Sequence, residues 1–170
     1  AQSKMGGGSS TPAPVNMSEL EDPKHTRPFH IELTFECGDF PKAEDAPEWT
    51  EDQGTTCTVV VRLNGDTAPY AADNFRRLCE KPMSEGGYVG SPLTDVTPGL
   101  GVSGGLINEK NFSSFDGRPF MNEDEEDVDH TKWTLSMVSS TKLKTAGRSL
   151  PEGCFGSEFL IYSGDDGDTA

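Results

Sequence analysis

VVVRLNGDTAPYAADNFRRLCE, residues 59–80, changes its hydrophobic period once and so sets the order of two elements. Its beginning belongs to TCTVVVRL, Thr56 to Leu63, whose β-branched and apolar residues predict a strand. Asp66-Thr67-Ala68-Pro69 then places a capping residue beside a proline, a signature of a first helical turn. From Pro69 to Lys81 good helix formers follow, with Ala72, Phe75, Leu78 and Cys79 on one face. A strand therefore runs into a helix with an apolar stripe.

Upstream, Phe29-His30-Ile31-Glu32-Leu33-Thr34-Phe35-Glu36-Cys37 alternates apolar and polar residues, which predicts a half-buried strand. Residues 38–55, rich in Asp, Glu and Pro around a lone Trp49, read as an acidic insertion. Residues 1–27, with Gly6-Gly7-Gly8-Ser9-Ser10 and Thr11-Pro12-Ala13-Pro14, lack an apolar period and read as a flexible N-terminal arm. Downstream, Tyr88 to Gly105 is dense in glycine and proline, with a short extended piece expected from Val96 to Val102. WTLSMV (Trp133 to Val138) and EFLIY (Glu158 to Tyr162) predict two more strands, joined by a long loop from Ser139 to Gly156 that carries Lys142, Lys144 and Arg148. The arrangement implies a mainly β domain over 28–163, an antiparallel sheet or barrel with flanking helices, and an acidic tail over 164–170.

The 170 residues suffice for one domain, and a net charge of −15 disfavours nucleic acid and anionic lipid as partners while favouring protein subunits with basic surfaces. No apolar run is long enough to insert in a membrane. The start at Ala1 fits an organellar subunit after removal of a targeting peptide, or a sequence lacking its start. Cys37, Cys57, Cys79 and Cys154 have no paired spacing and read as free thiols; a Cys37–Cys57 disulfide needs their strands to pair. His25, His30 and His130 are scattered, and the charge run 122–130 lacks the spacing of a calcium loop, so no metal or cofactor is implied. Asn111-Phe112-Ser113 is a formal glycosylation acceptor of a kind common by chance.

In order and spacing these pieces resemble the cyclophilin family of peptidyl-prolyl isomerases over residues 28–163. The resemblance lies in the strand-to-helix passage Val59 to Glu80 with its Asn74-Phe75-Arg76 core, in Gly90-Ser91, Val96, Pro98-Gly99 and Gly104-Gly105, in Leu135-Ser136-Met137, and in Gly156-Ser157 with Phe159 and Ile161. It implies a cyclophilin-like antiparallel β-barrel. It also implies that the family's catalytic arginine position is held by Asp95 and its neighbouring histidine by Thr94. The aromatic and methionine walls align with Leu100, Gly101 and Leu160, the positioning glutamines with Ser103 and Glu158, and the peptide-binding run with Val138-Ser139-Ser140. Leu100, Val102 and Leu160 remain to accept a proline ring.

An aspartate cannot donate the charge-assisted hydrogen bond with which an arginine stabilises a twisted X-Pro amide. The expectation is therefore a cyclophilin-like pseudoenzyme, an accessory or scaffold subunit of a larger complex, with a divergent isomerase or a proline-peptide-binding folding helper as the alternative. The family continues past the position of Tyr162 into closing strands, whereas this sequence ends at Ala170. A longer chain, a second polypeptide completing the barrel, or a remnant fold are the three readings.

Overall fold

The computed structural model describes residues 27–36, 56–97, 99–107, 114–123, 131–139 and 153–164. Most of the N-terminal arm, the 38–55 insertion with Trp49, Cys37, His25, His130, Asn111, Ser140, the basic residues of the 139–156 loop and nearly all of the acidic tail lie outside them.

β1 (Phe29–Glu36) and β2 (Thr56–Leu63) form an antiparallel pair, with Phe29 opposite Leu63 and Phe35 opposite Cys57. The period-2 pattern puts Phe29, Ile31, Leu33 and Val61 against the core and leaves His30 and Glu32 in water. His30 is thus a surface residue of a strand. Cys57, Cys79 and Cys154 are free thiols.

α1 (Pro69–Cys79) follows, two residues shorter than its sequence pattern suggests. Ala72, Phe75 and Leu78 are buried as its apolar spacing requires. Phe75 meets Tyr88 at 5.2 Å and Phe159 at 5.3 Å between ring centroids, and these two rings lie 5.2 Å apart, closing a triangle at the centre of the core. The expected cap is not formed by Asp66. The residue before the helix, Ala68, has no side chain to cap with, and the Glu123 carboxylate accepts from the N–H groups of Tyr70 (2.8 Å) and Ala71 (2.6 Å) instead. A carboxylate there satisfies orphan donors and faces the positive end of the helix dipole.

The remaining strands are short: β3 (Asp95–Thr97), β4 (Gly101–Gly104), β5 (Phe120–Met121), β6 (Leu135–Met137), β7 (Cys154–Phe155) and β8 (Phe159–Tyr162). The extended piece expected from Val96 to Val102 is two strands separated by a turn, since Leu100 N–H donates to the Thr97 carbonyl and Gly99 adopts φ +79°. Four of the strands make an antiparallel sheet in the order β3-β4-β8-β6, and β5 pairs with β7. Together these give a mainly β fold with one α-helix and three separate sheets, not a closed barrel, among the described residues. A 3-10 turn, Met83–Glu85, follows α1 among the described residues.

Candidate functional site

The register of the four-stranded sheet decides which candidate residues share a surface. Asp95 is opposite Ser103, Ser103 opposite Leu160, and Leu160 opposite Ser136. Directly opposed residues point to the same face, so these four form one row, with about 10 Å between Asp95 and Leu160 across two strand spacings. The alternate row, Val96, Val102, Ile161 and Leu135, faces the other way; Ile161 and Leu135 pack against the core cluster of Phe75 and Phe159, while Val96 at the sheet edge is 65% exposed. Alternation sets Val102 on this second face, apart from the row of Ser103 and Leu160.

Beyond the row, Val138 N–H donates to the Glu158 carbonyl at 2.9 Å, extending the β6–β8 ladder and setting Glu158 and Val138 on the face of Leu160. Ser139 follows directly, and Ser140 lies outside the described residues. Thr94 precedes β3, its N–H donating to the Ser103 carbonyl at 2.9 Å. Leu100, on the β3–β4 turn, is 42% exposed. The site face thus carries a leucine at its centre, serines beside it, and one carboxylate toward each side, Asp95 exposed and Glu158 half-buried.

Three anchors hold this face in place. Asn74, fully buried, donates from Nδ2 to the Gly156 carbonyl at 3.0 Å and accepts at Oδ1 from Phe115 N–H at 2.8 Å. The Tyr88 hydroxyl donates to the Ser157 carbonyl, and Ser157 Oγ donates to the Gly105 carbonyl at 2.8 Å. Gly105 sits at φ +85°, and a Cβ on it would run into Ser157. Only glycine gives that approach. At Gly101 a Cβ would collide with the Ile161 carbonyl, so β4 and β8 are packed too closely there for any side-chain wall.

Glu158 is the electrostatic anomaly. Its Oε2 is sealed from water and has no hydrogen-bond partner. Burial pushes its carboxyl above the usual glutamate range. Among the other raised groups, the Cys79 thiol at about 12 and the Tyr88 phenol well above its ordinary value are pushed up first by burial and belong to the core. Among the described residues no three of His, Cys, Asp and Glu stand close enough to hold a metal ion, and no helix is long and apolar enough to cross a membrane. A strand-helix passage with an Asn-Phe core, a glycine-framed sheet and the β4–β8 pairing together define a mainly β scaffold.

Comparison with known proteins gives that scaffold its family. A family model described as cyclophilin type peptidyl-prolyl cis-trans isomerase/CLD matches residues 50–165, and the chain belongs to that family. The sequence is also 36% identical over 92 residues to a peptidyl-prolyl cis-trans isomerase of Encephalitozoon cuniculi (strain GB-M1), a match that covers 52% of this chain and 52% of that protein. The matched region thus spans about half the length of the relative.

Proposed function

We propose that this chain is a cyclophilin-family protein that has exchanged isomerase chemistry for binding and acts as an accessory or scaffold subunit of a larger protein assembly. One observation carries the reading: Asp95 stands on the exposed strand β3, in the row with Ser103 and Leu160, where the family resemblance expects an arginine. The described members of that row, Asp95, Ser103, Leu160 and Ser136, include no cation. Rotation about an X-Pro bond faces a barrier of about 20 kcal/mol, and catalysis requires a donor where the amide twists. A carboxylate offers none. The net charge of −15 supports partners with basic surfaces.

The second reading, a divergent isomerase or proline-peptide-binding folding helper, is favoured by the family itself and by the name of the relative. Leu100 and Leu160 leave apolar surface for a proline ring. Isomerisation of a proline-containing peptide, followed by exchange NMR, separates the two. The native chain should leave the exchange rate within about twofold of buffer, and Asp95→Arg combined with Ser103→Gln should raise it at least tenfold if only the donors are lacking. Acceleration of tenfold or more by the native chain overturns the binding reading in favour of the isomerase.

A further inference from the structure

The turn that leads into β6 contains a residue that the fold does not call for. Thr134 N–H donates to the Thr131 carbonyl at 3.1 Å, closing a four-residue turn with Lys132 and Trp133 at its centre. Trp133 has φ +66°, and among the described non-glycine residues it alone lies at positive φ. A single positive φ at the third position defines a type II turn, where glycine is the favoured residue. The turn is imposed from outside: Trp133 N–H donates to the Tyr162 carbonyl at 2.7 Å, and Tyr162 N–H donates to the Thr134 carbonyl at 2.8 Å. The backbone is needed there; the indole is not. Trp133 is 74% exposed, and the group standing over its ring is the Lys132 ammonium, 5.9 Å from the centroid. That distance is at the outer limit of a cation–π contact. A tryptophan that stands largely in water at a strained position points to a role outside the fold.

We propose that Trp133 anchors a docking surface for an arginine- or lysine-rich segment of a partner protein, a cationic side chain of which stacks on the indole face. The chemistry of the occupant follows from two facts. Tryptophan is the best cation–π acceptor among side chains and is enriched among residues that dominate interfaces. The net charge of −15 draws positive segments and opposes docking of a second copy. The proposal deepens the accessory-subunit reading by naming the partner's chemistry. It stands on a different residue from Asp95, so the isomerase assay does not decide it.

The test uses the full chain carrying Trp49→Phe, which leaves Trp133 as the sole tryptophan. Its emission is titrated with a ten-residue peptide of alternating glycine and arginine, and with the glutamate counterpart, at physiological salt. The expected result is a saturable change with the arginine peptide alone. By calorimetry, Trp133→Gly should weaken that binding at least tenfold with a melting temperature equal to or above the parent's, while Trp133→Phe keeps most of the affinity. Equal affinity in Trp133→Gly and the parent overturns the proposal, because the peptide is then held by diffuse acidity. Absence of a saturable change overturns it as well. So does a lowered melting temperature in Trp133→Gly, which makes the indole structural, or a dimer that this substitution dissolves, which gives the surface to a second copy.

Discussion

The helix side and the open face of the four-stranded sheet are two parts of one domain under opposite constraints. Around α1, Asp73 and Asn74 are buried and bonded: Asp73 accepts from Arg76 at 2.8 Å and from Arg77 at 2.7 Å, and Asn74 bridges Phe115 and Gly156, while the Tyr70 hydroxyl is buried without a hydrogen-bond partner. On the outer face of β3, β4 and β8, Asp95 is exposed and Glu158 keeps an oxygen with no partner. The first region is what a family fold demands of any member. The second is where a cyclophilin-family chain is free to change its chemistry, since a side chain pointing into water supports little of the core. The proposed binding role rests on this contrast between the two regions.

That contrast breaks first at Phe75. Truncating it to alanine removes the ring at the centre of the Phe75–Tyr88–Phe159 triangle, and a loss of about 3–5 kcal/mol is expected from buried-area and cavity costs together. Urea unfolding measures it. A loss below about 1 kcal/mol means that the triangle is not the centre of the core.

Asn74 sharpens the comparison because its effect is polar. Asn74→Ala leaves Phe115 N–H and the Gly156 carbonyl without their side-chain partner in a buried setting, at an expected cost of about 2–3 kcal/mol. Asp95→Ala, measured under the same conditions, should change stability by about 0.5 kcal/mol or less, since Asp95 is exposed. Equal losses at the two positions erase the distinction between anchored and free regions.

Much of the anchored region was legible in sequence. Alternation marks β1, β-branched and apolar content marks β2, and the 72, 75, 78 spacing marks the buried stripe of α1. What escaped has physical reasons. Glu123 caps α1 from 52 and 53 residues away, and no local signal records such a contact. β5 and β7 are two residues long, too short to show any period. Trp133, read as the start of a strand, is a turn whose φ is set by hydrogen bonds to β8. The candidate site was legible through family resemblance rather than through pattern, and this is why Val102 was drawn into it. The alternation of β4 places Val102 with Val96 and Ile161 on the face opposite Ser103 and Leu160, a conclusion available only once the register is known.

The smallest expected effect is at Glu158, and its dependence on pH is its signature. Burial holds its carboxyl above the ordinary glutamate value, so the folded chain accepts the charged form less readily than the unfolded chain does. As pH rises from the unfolded pKa through the folded one, the folded state loses stability at this residue, and above the folded pKa the penalty is complete. Below the ordinary value of about 4.3 it vanishes. Glu158→Gln has no charge to desolvate. It should therefore be more stable than the native chain at pH 7 by about 0.5 kcal/mol, a small figure because the side chain is only half-buried and solvent screens the rest. The difference should close as the solution is acidified below pH 4, with urea midpoints of both proteins compared at each pH. A gap that widens on acidification reverses the sign and gives Glu158 a partner that stabilises its charge. The outer face would then be as well matched as the helix side, and the division between anchored scaffold and altered surface would fail at the residue chosen to show it.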